Sequence, residues 1–179
     1  MVVVCAGTLA SCAHPPEIEA RSVAGAARPD LSVSGQIFDA VNAYRRSHGA
    51  GNLQRHSGLD RLAQAHCDYL RKNRGKFGIY GKNVSHFGSE GRALVAREAY
   101  HMQSCSENVA ATGPAEKNKA SALMNLWTSS KDHEKCILNS WTHTGIGTVV
   151  DNDGTVFSTE IFATVSNSQM VNRQRFSGF

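Results

Sequence analysis

The chain has 179 residues, of which 41% are hydrophobic and 19% charged, a balance that excludes a disordered protein and is typical of one globular domain. Its net charge of +4 comes from scattered basic residues with only short clusters such as Arg71-Lys72-Asn73-Arg74, so we expect no nucleic-acid partner. Beyond the N-terminus no apolar run approaches the roughly 18 residues that a membrane-spanning helix needs.

The first residues differ from the rest of the chain, because Met1 to Ala13 carry no charge. They include Leu9-Ala10-Ser11-Cys12, which resembles the lipobox of bacterial lipoproteins: small residues expose the bond before the cysteine, whose thiol then takes a diacylglycerol. We therefore expect residues 1–12 to be a lipoprotein-type signal with lipidation at Cys12. The protein is then extracytoplasmic, anchored to a membrane of the bacterial envelope (periplasm or outer membrane) or secreted. The basic segment that opens a signal peptide is missing, so we expect translation to start upstream of Met1. The alternative is a buried N-terminal strand.

Residues 13–33 contain three prolines and no periodicity, which predicts a tether between the anchor and a domain spanning 34–165. Ser34 is the expected N-cap of a first helix, whose apolar residues are Ile37, Phe38, Val41 and Tyr44 and which Gly49 and Gly51 end. A second helix is predicted over Ser57 to Asn73, with an apolar stripe of Leu59, Leu62, Ala63, His66 and Leu70. On this stripe His66 is interpreted as a core histidine.

The middle of the chain is predicted as a loop over 75–88, a third helix over Gly91 to Met102 and a strand over Glu107 to Ala111. Val95, Ala99 and Met102 form the expected inner face of the third helix. Pro114 is placed at the start of a fourth helix, because its fixed φ and missing N–H suit a first turn. The buried stripe of that helix is Ala120, Leu123, Met124 and Trp127.

Ser130 is the expected cap of a short helical turn that reaches Leu138. Two strands follow, Gly145 to Val150 and Thr155 to Ala163, and the Asp151-Asn152-Asp153-Gly154 turn between them favours a hairpin. A polar tail, 166–179, ends the chain. Helices first and a hairpin last predict an α+β domain without a βαβ repeat.

Several ordered motifs in this domain resemble the CAP (SCP-like) superfamily, which includes cysteine-rich secretory, venom-antigen and pathogenesis-related proteins, and most of all its compact bacterial branch. Ser106-Glu107-Asn108-Val109-Ala110 is similar to the family's G-E-N-hydrophobic-A strand. The segment from Trp127 through Ser130 and His133 to Ile137-Leu138 resembles a W-x-x-S-x-x-H-x-x-x-I-L signature. Gly145-Ile146-Gly147 and Glu160-Ile161-Phe162-Ala163 resemble its closing hairpin.

The resemblance implies a three-layer α-β-α sandwich in which helices flank a small antiparallel sheet, and a cleft that holds His86, Glu107 and His133. Ser130 falls where many members have a second acid. The implied function is an extracytoplasmic protein that binds a lipid, a glycan or a partner protein at this cleft, with a divalent metal as an optional aid. The alternatives are a metal-dependent hydrolase at the same cleft and a purely structural or interaction domain.

Two imidazoles and a carboxylate suit Zn²⁺ or another borderline divalent cation, so His86 and His133, with Glu107 nearby, are the candidate metal ligands. The competing interpretation is a hydrogen-bonded network in which Glu107 accepts from both histidines and Ser130 only caps its helical turn. Other enzyme classes lack their motifs: no H-E-x-x-H, C-x-x-C, G-x-S-x-G or Gly-rich phosphate loop is present.

Three cysteines fall inside the domain, and an extracytoplasmic location permits a disulfide. Cys105 lies two residues before Glu107, on the same side of an extended strand, and Cys136 lies about one helical turn after His133. If Glu107 and His133 meet as the resemblance implies, Cys105 and Cys136 become neighbours, which predicts a Cys105–Cys136 disulfide with Cys67 free. Three reduced thiols are the alternative.

Overall fold

A computed structural model describes residues 31–76 and 84–165 of the chain. Its elements in chain order are α1 (Leu31–Ser47), β1 (Gln54–Arg55), α2 (Ser57–Lys72), α3 (Ser89–Tyr100), β2 (Met102–Thr112), α4 (Lys119–Thr128), α5 (Lys131–Leu138), β3 (His143–Val150) and β4 (Val156–Val165). The predicted signal with Cys12, most of the tether and the tail 166–179 lie outside the described residues. No helix within the described ranges is long and apolar enough to span a membrane.

The sheet has the strand order β1-β3-β4-β2, so β2 lies at one edge. β4 pairs antiparallel with both β2 and β3, as the predicted hairpin requires, and only the short β1 pairs parallel, with β3. The sheet is therefore mixed, with an antiparallel part as expected and a two-residue parallel strand that the sequence patterns did not indicate. The α+β class is confirmed.

Helices cover both faces of the sheet and produce the predicted three layers. One face packs against α1, α4 and α5 through a core that includes Ile37, Trp127 and Phe162. The other packs against α2 and α3 through two smaller clusters. Along β2, Val109 and Ala111 belong to the α2 face and Ala110 to the other, as strand alternation dictates.

Two glycines allow α2 to lie directly on β3. A Cβ built on Gly145 would stand 2.2 Å from the carbonyl carbon of Leu59, and one on Gly147 would stand 2.3 Å from the backbone nitrogen of Gln64. Both distances are far below van der Waals contact, so only glycine fits at either position. Asp60 and Gln64 complete the contact, because their side chains accept from the backbone N–H groups of Ile146 and Thr148.

Most of the predicted helical faces are confirmed, while several helix starts are wrong. The stripes of α2 and α4 are buried at Leu59, Ala63, His66 and Leu70 and at Ala120, Leu123, Met124 and Trp127. α1 begins at Leu31, three residues inside the expected tether, because Val33 packs into the core; Ser34 lies within the helix and is not its N-cap. α4 begins after Asn118, whose side chain caps it, and not at Pro114.

The region from α3 to β2 departs furthest from expectation. α3 ends at Tyr100, and it is Ala96 that faces inward while Val95 is 41% exposed. Met102 is buried, but it opens β2 and does not close the helix. β2 starts five residues earlier than predicted because its pairing with β4 extends to Val165. Long-range strand pairing has overridden a locally helical pattern here.

Candidate functional site

Glu107 lies on the edge strand β2 and is the centre of a charged cluster. The guanidinium of Arg92, on α3, donates from Nε to Oε2 at 2.8 Å and from its terminal nitrogen to Oε1 at 2.7 Å. His86 Nδ1 lies 2.9 Å from Oε1, where it donates, since a carboxylate oxygen can only accept. Because Arg92 and Glu107 are 13% and 9% exposed at their side chains, this pair is largely removed from water, whereas His86 is 49% exposed.

The ionised form of Glu107 is strongly favoured. Burial raises the pKa of this carboxyl, but the hydrogen bonds from His86 and Arg92, together with the charge of Arg92, outweigh burial and lower the pKa to about 2. Glu107 is therefore a carboxylate throughout the physiological pH range, with both oxygens already engaged. It can anchor His86 and Arg92, and it is poorly suited to accept a proton as a general base.

Arg92 is the site residue that sequence reasoning missed. Its terminal Nη1 also donates to the backbone oxygen of Phe87 at 2.9 Å, so one guanidinium ties α3 to the loop before it and to β2. Arg92 and Glu107 are separated by the end of a helix and the start of a strand, and no motif relates them. The available signal was weak: a basic residue in the early turns of a helix, where the macrodipole disfavours it unless a carboxylate is near.

Of the predicted cleft residues, the structure brings only His86 and Glu107 into direct contact. His133 lies on α5, where its backbone oxygen accepts from Asn108 Nδ2 at 3.1 Å and its own Nδ1 is buried without a hydrogen-bond partner among the described residues. Burial lowers the pKa of His133, and the charge of His86 lowers it further. Asn108 thus links α5 to the strand position beside Glu107.

Ser130 takes the N-cap position of α5 that the sequence indicated, but its side chain makes no capping hydrogen bond. His66 is buried at 2% exposure behind the cluster, where its Nδ1 contacts Thr159 Oγ1 at 3.0 Å, as a core histidine should. Burial, followed by the charge of Arg92, lowers the pKa of His66 to about 4, so its ring is neutral at pH 7.

A groove runs beside this cluster between α3 and β2. Its first part, a cavity of about 330 Å³, is lined by His86, Ser89, Arg92, Cys105 and Glu107 among others. A second cavity of about 370 Å³ shares Glu90, Ala93 and Cys105 with the first and extends past Leu94 to Gln103. The groove therefore has paired charges at one end, and at the other end Ala93 and Leu94 lie beside the charged residues Glu90 and Arg97. Neither Ser130 nor His133 is among the lining residues of these two cavities.

The described residues do not fit the three-ligand metal site. Within 31–76 and 84–165, no group of three or more His, Cys, Asp and Glu side chains is placed to hold a metal ion. The geometry around Glu107 gives the reason: the guanidinium of Arg92 occupies both carboxylate oxygens and puts a positive charge where a cation would bind. The predicted ligation by His86 and His133 is not supported by this arrangement.

The expected Cys105–Cys136 disulfide is wrong in this structure, where Cys67, Cys105 and Cys136 are free thiols. Cys105 packs on the α2 and α3 face, and Cys136 packs in the core on the opposite face. Because neighbouring residues of a strand point to opposite faces, it is Ser106 that meets α5: Cys136 Sγ donates to Ser106 Oγ at 3.2 Å. Burial raises the pKa of both Cys105 and Cys136 to about 11, which keeps them as unreactive thiols.

Comparison with known proteins agrees with this architecture. The profile of the cysteine-rich secretory protein family, CAP, matches residues 38–166. Among solved structures, an outer surface protein from Borrelia burgdorferi superposes with a TM-score of 0.62 at 14% identity, covering 78% of this chain and 99% of that one. That likeness concerns the fold alone. No curated protein sequence matches the chain.

Two further structures contain a domain of this shape. An extracellular protein with an SCP domain from Bacillus anthracis matches with a TM-score of 0.54 at 25% identity, and a cysteine-rich secretory protein from Staphylococcus aureus matches with 0.54 at 19%. Each covers 74% of this chain, which spans 40% and 38% of their respective lengths. The relatives are thus bacterial surface or extracellular proteins, two of them with large additional parts.

Proposed function

This chain belongs to the cysteine-rich secretory protein (CAP) family, and from that premise we propose that it is an extracytoplasmic binding module whose ligand lies in the groove between α3 and β2. The observation that carries the proposal is the groove itself, which continues from the charged cluster at Glu107 to the exposed side chain of Leu94. Binding needs shape and lining, and both are present without any rearrangement of the described residues.

Among lipid, glycan and partner-protein ligands, the groove favours a lipid. Leu94 lines the groove and is 49% exposed, and a large apolar side chain left open to water in a concave site marks a ligand surface. Phe87, 67% exposed and stacked on Tyr69, lies in the loop whose backbone binds Arg92. A glycan depends mainly on hydrogen-bonding groups, and those of Glu107 and Arg92 already bind each other. An amphiphile uses both ends: a polar head near Arg92 and His86, and an acyl chain along Ala93 and Leu94.

The hydrolase alternative requires Glu107 as a free base beside a metal-bound water, and Arg92 occupies that carboxylate. A zinc titration of the purified protein, monitored by calorimetry, tests separately whether the protein binds a metal. Stoichiometric binding that His86→Ala and His133→Ala both abolish is the result that favours the hydrolase. Binding of lipid without zinc favours the module. A protein that binds neither supports the purely structural role.

For the lipid site we expect Leu94→Glu to weaken binding of a fluorescent fatty acid at least about tenfold, because a carboxylate must be desolvated against the acyl chain. The measurement is a fluorescence titration of the full chain. The matched control is Val95→Glu on the same helix, an exposed apolar side chain (41%) that lines neither cavity of the groove. Equal affinities for the two variants contradict the assignment of the lipid to this groove.

The proposed location is the bacterial envelope, through a lipid anchor on Cys12. The support is the lipobox-like Leu9-Ala10-Ser11-Cys12, together with relatives described as outer-surface or extracellular proteins. Expressed in a bacterial host, the protein is expected to partition into detergent and to incorporate labelled fatty acid. Cys12→Ala is expected to abolish the label, whereas Cys5→Ala, also in the segment, leaves it unchanged. A soluble, unlabelled wild-type protein is the contradicting result.

A further inference from the structure

Two buried acceptor atoms belong to residues that stand opposite each other on strands β2 and β4. Asn108 and Glu160 stand directly opposite in the antiparallel register and are 1% and 0% exposed. Asn108 Oδ1 and Glu160 Oε2 are both buried, and neither has a hydrogen-bond partner among the described residues. Directly opposite residues have Cβ atoms about 4.5–5.5 Å apart, so the two side chains are immediate neighbours on the same face of the sheet.

The other polar atoms of both side chains are already committed. Asn108 Nδ2 donates to the backbone oxygen of His133. Glu160 Oε1 lies 2.9 Å from Thr144 Oγ1, whose single hydroxyl proton is shared between Oε1 and the backbone oxygen of Ile161 at 3.0 Å. Exchanging the oxygen and nitrogen of the Asn108 amide does not help, because Oδ1 would then face the carbonyl of His133, which can only accept. An unpaired buried acceptor costs free energy, and here there are two side by side.

We propose that Glu160 is a neutral carboxylic acid in the folded protein at neutral pH and that its Oε2–H donates to Asn108 Oδ1. One proton then satisfies both unpaired atoms. It also fixes the Asn108 amide so that Nδ2 points to the His133 carbonyl, which holds α5 against the edge strand next to Glu107. Glu160 is on this basis a positioning residue for the cleft, acting through Asn108.

The charged groups near Glu160 make their hydrogen bonds elsewhere. Arg45, on α1, donates to the backbone oxygens of Gly51, Ile137 and Asn139. Arg55, on β1, forms an ion pair with Asp60 at 2.9 Å. On α5, Cys136 is a neutral thiol, and from α4 the core receives Trp127, which carries no charge. No cation therefore contacts the Glu160 carboxyl directly among the described residues.

The surroundings of Glu160 also change the pKa of its carboxyl. Burial raises the pKa of Glu160 to about 8, against the hydrogen bond from Thr144 and the charges of Arg55 and Arg45, which lower it. A carboxyl whose folded pKa exceeds its unfolded value binds more protons in the folded state. Stability then decreases as pH rises from the unfolded pKa to the folded one, with the unfolding equilibrium constant increasing about tenfold per pH unit.

Urea unfolding of the full chain from pH 5 to pH 9 tests the proposal with Glu160→Gln, because glutamine places an N–H donor where the acid has its O–H and never ionises. We expect Glu160→Gln to remove the pH slope attributed to Glu160 and to exceed the wild type in stability at pH 8. The matched control is Glu107→Gln on β2, the same substitution at a carboxyl with a lowered pKa, which should keep the slope and lose stability at every pH in this range.

A second measurement does not depend on any variant folding. The ¹³C resonance of the Glu160 carboxyl, assigned in labelled wild-type protein, is expected at the position of a neutral acid at pH 7.

In Glu160→Gln the backbone amides of α5 should keep their protection against hydrogen exchange. In Glu160→Leu, which has no donor for Asn108, these amides should exchange faster than in the wild type. An ionised Glu160 at pH 7, or a Glu160→Gln protein less stable than the wild type at pH 8, overturns the proposal. The latter outcome points to an internal water donating to both acceptors.

Discussion

Replacing Gly147 with alanine is expected to destabilise the protein by at least about 3 kcal/mol, a large part of the total stability of a domain this size. The new methyl group would stand 2.3 Å from the backbone nitrogen of Gln64 and 2.4 Å from the carbonyl carbon of Ala63. These are backbone atoms of α2, so no rotamer change relieves the overlap. The helix must move away from β3 and leave the cluster around Leu70 and Val149 loosely packed.

The control for this prediction is Gly35→Ala. Gly35 lies inside α1, and a Cβ there has nothing within 4 Å, so alanine should stabilise the helix by about 0.5–1 kcal/mol. Urea unfolding of both variants at pH 7 gives the comparison, and opposite signs are expected from the same chemical change. A Gly147→Ala protein as stable as the wild type contradicts the direct packing of α2 on β3.

Replacing Glu107 with glutamine is expected to cost about 3 kcal/mol, because it leaves the guanidinium of Arg92 nearly buried without its charged partner. The two hydrogen bonds at 2.8 and 2.7 Å from the guanidinium to a carboxylate become at most one, to a neutral amide oxygen. His86→Ala should have a much smaller effect, since its side chain is half exposed to water. The double variant Arg92→Met/Glu107→Gln should lose less free energy of unfolding than the two single variants lose in sum.

The pH dependence of this pair has a defined sign. The pKa of Glu107 is lowered to about 2, below its unfolded value of 4.5, so the carboxylate stabilises the fold at every pH above the unfolded value. That contribution is lost as pH falls from about 4.5 towards 2. We therefore expect the stability difference between wild type and Glu107→Gln to be constant at neutral pH and to vanish in strong acid. A difference that persists unchanged at pH 2 contradicts the pairing.

Glu107 and Glu160 illustrate what short sequence motifs can predict and what they cannot. Glu107 was recognisable because it lies in a short motif, and Glu160 lies in another, the closing strand. Neither motif indicates that one carboxyl is paired with Arg92 and the other is buried beside an amide. The difference in environment moves their pKa values in opposite directions, to about 2 and about 8. Identical side chains on paired strands thus acquire different chemistry from long-range neighbours.

Sequence alone determined the α+β class, the buried stripes of α2 and α4, the β3–β4 hairpin and the position of Ser130 before α5. These features follow from hydrophobic periodicity and turn-forming residues, which depend only on residues that are close in sequence. Only the tertiary structure decided that Arg92 binds Glu107, and that Ser106 rather than Cys105 meets Cys136. A strand's alternation separates its two faces, but which helix covers which face depends on contacts among residues far apart in sequence.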